Sequence, residues 1–209
     1  MLMPGWSREE TTVPALIAHS HFHLAVFYAA LFGCFAPEWY GSLFHRVERG
    51  ANIRDRGSHL ALLATVSAGI IAAFGFVFGS PATAIAWHQH VLFWIGIAVM
   101  LAGLVFRWYA IHSLGRFFTR TVATRAGQYV VDSGPYRLIR HPSYTGGLLM
   151  FLGTGVAMTN WAALLAIMAG AVVGYWYRVR IEERALCADL GQPYRDYMLR
   201  TKRFIPHVL

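Results

Sequence analysis

The sequence predicts an all-α fold. It reads as a polytopic membrane helical bundle of about five transmembrane helices, with a polar loop and a C-terminal amphipathic helix at one edge. Two observations predict it. Of 209 residues, 56% are hydrophobic and only 13% charged, where a soluble domain carries about 25%. The charges are also clustered: no Asp, Glu, Lys or Arg lies between Glu10 and Glu38, between Arg56 and Arg107, or between Arg140 and Arg178. A span needs roughly 20 predominantly apolar residues, so these gaps hold one, two and two spans. Such helices bury side chains only against each other. That predicts one domain over 1–209, with spans one to three in 1–111 and a polar loop, hairpin and C-terminal helix in 112–209.

Span one is expected over Val13–Phe35, stopped by Pro37. The loop Glu38–Ser58 carries Arg46, Arg49, Arg54 and Arg56. Span two covers about His59–Phe78 and ends at Gly79-Ser-Pro81. Span three covers about Trp87–Ile111, after an uncharged connection. A polar segment, His112–Arg140, carries Arg116, Arg120, Arg125, Arg137 and Arg140. Spans four and five follow, broken near Met158-Thr-Asn-Trp161 and each short for a crossing. The stretch Ile181–Lys202 reads as an amphipathic helix interrupted at Gly191-Gln-Pro193, fit to lie at headgroup level or to cover a pocket. Arg-rich and uncharged loops alternate. The positive-inside rule therefore puts 38–58, 112–140 and the C-terminus in the cytoplasm, and the N-terminus opposite.

Composition also excludes. The net charge of +8 is nearly all Arg and concentrated in loops, which marks cytoplasmic segments rather than nucleic-acid binding. Arg8 is followed by Glu9 and Glu10, unlike a secretory signal. Two cysteines, Cys34 and Cys187, make no disulfide scaffold and offer no metal-ligand spacing. No metal is expected to be required. His19, His21 and His23 invite a metal reading, but only His19 and His23 share a helix face, and no His-x-x-His-His box occurs.

Chemistry concentrates in two clusters flanking an uncharged stretch of 37 residues, His141–Tyr177. The first is Gly134-Pro-Tyr-Arg-Leu-Ile-Arg-His-Pro-Ser-Tyr-Thr-Gly146. Pro142 disfavours helix at His141, so a span begins at or just after Pro142. Arg140 and His141 then sit at a helix N-terminus, where backbone N–H groups favour a negative ligand group. Tyr136 and Tyr144 supply ring faces or hydroxyls for an adenine or ribose. Interfacial anchoring by Tyr, Arg and His is the plain alternative. The second cluster is Arg178-Val-Arg-Ile-Glu182-Glu183. Arg178 and Glu182 share one helix face, as an i,i+4 ion pair or as a site, and Glu183 points elsewhere. Arg178 follows Tyr175-Trp-Tyr177 at membrane depth, where an ionisable residue defaults to function. The hairpin returns Arg178 toward His141, and loop 112–140 folds over both.

Gly-Pro-Tyr136-x-x-x-Arg140-His-Pro-x-Tyr144-x-Gly146, then Arg178-x-x-x-Glu182-Glu183-x-x-Leu186, Gly191-x-x-Tyr194-x-x-Tyr197 and Arg203-x-Ile-Pro206 together resemble the isoprenylcysteine carboxyl methyltransferase family. That family belongs to a wider group of membrane methyltransferases that includes phospholipid N-methyltransferases. The resemblance covers residues 112–206. It implies an S-adenosylmethionine enzyme without a Rossmann domain, its pocket built from the loop before span four, the Arg-His-Pro-x-Tyr turn and the C-terminal segment. By position, the cofactor residues are Gln128, Tyr129, Val130, Val131, Tyr136, His141, Pro142, Ser143, Tyr144 and Glu182. Gln128 stands where members commonly have His. Arg178 falls at the substrate-carboxylate contact, and Arg178, Glu182 and Arg140 form the implied catalytic set. The implied partners are membrane lipids and a lipophilic substrate entering from the bilayer.

An ionised carboxylate acceptor needs a cation to hold it and no general base, a task suited to Arg178. An amine or thiol acceptor must lose a proton, which makes Glu182 or His141 a candidate base. Phospholipid or small-molecule N- or S-methylation therefore stays open. So does an NADPH-dependent sterol-type reductase, which shares the Arg-His-Pro-x-Tyr turn. A non-enzymatic transporter or scaffold is the third alternative, although the spans lack its expected intramembrane charges.

Overall fold

In the computed structural model, residues 14–44, 52–53, 55, 57–119, 122–124 and 127–206 are described. The sequence-predicted Arg46, Arg49, Arg54, Arg56, Arg120 and Arg125, and Val13 at the start of the expected span one, lie outside them. Among the described residues seven α-helices form: α1 (Leu16–His19), α2 (His21–Phe44), α3 (Ser58–Gly79), α4 (Gln89–Leu114), α5 (Pro142–Ala157), α6 (Trp161–Leu190) and α7 (Gln192–Arg200). Three helical stretches, Ser58–Gly79, Gln89–Phe117 and Trp161–Leu190, are long and apolar enough to cross a membrane. Their outward faces carry Leu60, Ile71, Val105 and Leu165, all exposed. An apolar surface of this extent needs lipid around it, and the protein is an integral membrane protein.

The bundle is held by two close helix pairs, α4 against α5 and α3 against α6. Glycines make these approaches possible. A Cβ on Gly103 would lie 2.7 Å from the Met150 nitrogen, and one on Gly153 2.5 Å from the Gly96 carbonyl oxygen. In α4, Gly96 and Gly103 are seven residues apart, as are Gly146 and Gly153 in α5, which keeps all four on one seam. Small residues substitute here for a hydrophobic drive that lipid does not supply.

Two boundaries differ from the sequence reading. Pro37 does not stop span one: α2 continues through it to Phe44. Proline removes one N–H and crowds the carbonyl four residues earlier, and that residue is Gly33. Span five does not end at Tyr177 either. It runs unbroken to Leu190, so the apolar hairpin arm and the first part of the expected amphipathic helix, residues 181–190, are one helix of 30 residues. Continuous helical propensity through Arg178–Leu190 offers no breaker before Gly191, which takes φ +65°. Span four is short, at 16 residues, or about 24 Å.

The loops sort to two ends. At one, the Leu16 N–H donates to Thr159 Oγ1 (2.9 Å), Gln89 Nε2 to the Pro14 carbonyl (3.0 Å), and Ile85 N–H to the Thr159 carbonyl (2.9 Å). Asn160 caps α6 through the Ala163 N–H and also donates to Thr83 Oγ1. His23 Nδ1 lies 2.6 Å from Ser20 Oγ, and its Nε2 3.3 Å from His90 Nδ1. Among the described residues, no group of three or more His, Cys, Asp or Glu is gathered to hold a metal. At the other end, a two-stranded ladder, β1 (Asn52–Ile53) with β2 (Ala123–Thr124), joins the two Arg-rich loops. This end also holds the polar clusters.

Candidate functional site

The Gly134–Gly146 turn is built in three steps. Gly134 takes φ +57°, then Pro135 opens a 3-10 turn over Gly134–Arg137. Residues 139–141 next pair with the C-terminal segment: the Arg140 N–H donates to the Lys202 carbonyl (2.7 Å) and the His141 N–H to the Arg203 carbonyl (3.0 Å). Pro142 then starts α5, as its fixed φ and missing N–H favour. Thr145 Oγ1 donates to the Phe204 carbonyl at 2.9 Å, fastening the strap from the far side.

Glu183 is the hub beneath this turn. Its carboxylate accepts from Arg140 Nε (3.0 Å), from Arg203 Nε and Nη2 (3.0 and 2.7 Å), and from the His141 imidazole (3.3 Å). Arg140 also donates to the carbonyls of Met198 and Thr201. The Glu183 carboxylate beside it holds Arg203 above its usual range. Sequence reasoning placed Glu183 away from Arg178, which is correct, but missed its role. The signal was present: two guanidiniums, Arg140 and Arg203, and the His141 imidazole are donors in the same motif set, and Glu183 is the acid beside them.

A second cluster lies one helical turn closer to the bilayer. The Tyr144 hydroxyl donates to Glu182 Oε2 (2.5 Å) and accepts from Arg178 Nε (2.9 Å). Tyr144 thus bridges the i,i+4 pair. Its ring stacks between His141 (5.5 Å, 14°) and Tyr175 (5.0 Å, 28°). Arg178 Nη1 also reaches Ser58 Oγ (3.3 Å) and Asp55 Oδ1 (3.4 Å). The sequence reading brought Arg178 to His141. The structure instead sends His141 to Glu183 and Arg178 to Tyr144, with the Tyr144 ring between them.

Two cavities meet at Tyr144. One is a cleft of mixed polarity lined by Gln128, Tyr129, Val130, Val131, Tyr136, Arg140, His141, Ser143, Tyr144 and Glu182, together with Tyr194, Tyr197 and apolar side chains such as Phe117, Phe118 and Leu186. Of the cofactor residues expected from the resemblance, only Pro142 is off this wall; it is buried as the first residue of α5. The other cavity, of about 410 Å³, is lined largely by apolar side chains of α2, α3, α5 and α6, and ends in Arg107, His59, Tyr144 and Arg178. Arg107 is fixed there by its bond to the Ser143 carbonyl (2.7 Å). On the polar side, burial pushes the Tyr136 and Tyr194 phenols up and the Tyr197 phenol to about 12. All three stay neutral hydrogen-bonding groups. The Tyr197 hydroxyl donates to the Tyr136 carbonyl at 2.6 Å, which ties α7 under the turn.

Fold and site therefore define a helical membrane protein with a cleft of mixed polarity and a largely apolar cavity converging at one end of a hairpin. Residues 91–192 match the family model for phospholipid methyltransferases. The chain is 34% identical over 127 residues to protein-S-isoprenylcysteine O-methyltransferase B of Arabidopsis thaliana, covering 57% of this chain and 62% of that one. It is also 34% identical over 124 residues to the cobalt-zinc-cadmium resistance protein CzcN of Cupriavidus metallidurans, covering 58% and 52%. The solved eukaryotic intramembrane Ras methyltransferase ICMT (isoprenylcysteine carboxyl methyltransferase) matches with a TM-score of 0.58 at 25% identity, covering 90% of this chain and 63% of that one. The chain spans less than two thirds of the length of each of these proteins. Over these residues it is similar to the isoprenylcysteine carboxyl methyltransferases.

Proposed function

We propose that this protein is an S-adenosylmethionine-dependent membrane methyltransferase that esterifies the carboxylate of a lipophilic, isoprenylcysteine-like acceptor. The observation that carries the reading is the meeting at Tyr144 of a cleft rich in hydrogen-bonding groups and a largely apolar cavity, with Arg178 on the apolar side. The donor set suits the cofactor. Glu182 offers a carboxylate to ribose hydroxyls or to positive charge, and Gln128–Val131 offer an extended backbone edge. In the first turn of α5 the Tyr144 and Thr145 N–H groups donate to the His141 carbonyl, which leaves the Ser143 N–H to face a ligand carboxylate. The cleft encloses only about 80 Å³, well below the roughly 300 Å³ at which ordinary ligand pockets begin. Binding therefore requires the wall formed by residues 117–119 and 128–131 to move outward.

When bound, S-adenosylmethionine would supply an electrophilic methyl group for transfer to the acceptor carboxylate, its sulfur leaving with the bonding pair. The protein's part is positioning. Arg178 holds the acceptor carboxylate at the end of the apolar cavity, and Tyr144 and Glu182 fix the Arg178 side chain in place. Arg140 and His141, committed to Glu183, keep the cleft wall rigid. Alignment of this kind accounts for much of the acceleration of a displacement. The chain acts as one unit, with lipid at its flanks and the acceptor entering from the bilayer. By loop charge, the cleft and C-terminus face the cytoplasm and the N-terminus lies opposite.

The test uses the purified chain in detergent. S-adenosylhomocysteine is expected to raise the melting temperature, and labelled methyl to pass from S-adenosylmethionine to an S-prenylated cysteine acid. Arg178→Ala should keep the cofactor shift and lose turnover. A shift by NADPH alone would overturn the reading, and turnover retained in Arg178→Ala would remove the role given to that residue.

A further inference from the structure

Arg178 has a resident counter-ion whose place in the proposed reaction is distinctive. Its side chain is 4% exposed and pairs with Asp55 Oδ1 at 3.4 Å, a contact between residues 123 positions apart. A buried guanidinium without a counter-ion is strongly destabilising. Asp55 comes from the loop ahead of α3 and sits behind Arg178, which with His59 lines the polar end of the apolar cavity. It also has a second set of partners. Ser58 Oγ donates to its Oδ1, and the His59 N–H donates to Oδ2 at 3.3 Å. These are the N-terminal groups of α3, which an Asp three residues ahead can satisfy while letting go of Arg178.

We propose that Asp55 is a specificity-determining positioning residue, an internal stand-in for the substrate carboxylate on Arg178. This rests on the methyltransferase reading above. An incoming acid exchanges with Asp55, so the buried guanidinium keeps one carboxylate partner throughout. Asp55 retreats onto the α3 cap. Methyl transfer then converts the bound carboxylate to a neutral ester, which no longer balances Arg178. Asp55 returns to the guanidinium and displaces the product. The pair thus sets the acceptor's apparent affinity and separates acid from ester.

Asp55→Asn tests this, because Asn caps helices as well as Asp but carries no charge. Cofactor affinity is read by calorimetry with S-adenosylhomocysteine. Kinetics are read with an S-prenylated cysteine acid as substrate and its methyl ester as inhibitor. In Asp55→Asn, the acid's KM is expected to fall about three- to tenfold and the ester to inhibit more strongly. The homocysteine affinity should be unchanged, and Asp55→Glu should restore wild-type behaviour. A KM that is unchanged or raised, with cofactor binding intact, overturns the role of Asp55 alone. Absence of cofactor binding and methyl transfer in the wild-type chain overturns the methyltransferase reading and this role with it.

Discussion

Replacing Glu183 by Ala should be among the most damaging single changes in the polar end of this protein. The Glu183 side chain is 6% exposed and Arg140 is 9% exposed, so their pair is shielded from water. Removing one partner of a buried pair costs about 3–5 kcal/mol, because the other charge stays buried. Arg203 is 30% exposed, and solvent screening holds its share to about 1 kcal/mol or less. The carbonyls of Met198 and Thr201 still accept from Arg140, which sets the expectation near the lower figure. At about 2–4 °C per kcal/mol for a chain of this size, the melting temperature in detergent should fall by roughly 6–12 °C. Glu183→Gln keeps the shape and one acceptor and should fall by less. Exposed Arg184→Ala should stay within about 0.5 kcal/mol. Glu183→Ala combined with Arg203→Ala should cost less than the two separately, as residues sharing one bond network do. Melting of Glu183→Ala within a degree or two of wild type would refute the hub, and the account of how the turn is held would fail with it.

Other expectations follow from the same structure. Gly153→Ala places a methyl 2.5 Å from the Gly96 carbonyl oxygen and should cost about 1–3 kcal/mol by forcing α4 and α5 apart. Gly75→Ala, with nothing within 4 Å, should be neutral or stabilising; thermal melts of the two variants check the contrast. The Tyr197 phenol, raised by burial from 10.0 to about 12, stabilises the fold while neutral in both states. That contribution is complete below pH 10 and is lost as pH rises from 10 toward 12, because the unfolded chain ionises first. Melting temperature should therefore hold up to about pH 10 and then drop, less steeply in Tyr197→Phe, as a pH series of melts would show.

Much of the architecture was legible in the chain. The gaps in charge mark where helices run, and alternating Arg-rich and uncharged loops mark which ends come together, because burying a charge in hydrocarbon is costly. The Gly134–Gly146 turn and Arg178–Glu182 stand out for the same reason. Pro37 and the end of span five were misjudged because boundaries depend on neighbours. A helix continues through a proline if the crowded turn is small, and past a span's apolar end if its polar face is buried by something else. Here that something is the C-terminal strap from Thr201 to Phe204, pressed against residues 139–145.

The sequence alone determined a membrane bundle with two polar clusters at one edge, since charge and hydropathy act locally and need no partner to be read. Only the tertiary structure decided how those clusters divide. Arg178, Tyr144 and Glu182 gather at the cavity mouth, while Arg140, His141, Arg203 and Glu183 gather beneath the turn. The partition depends on side-chain direction within one long helix. Adjacent residues Glu182 and Glu183 lie about 100° apart around it, so each meets a different set of cations. Asp55, far away in sequence, joins the first group only because α3 packs along α6.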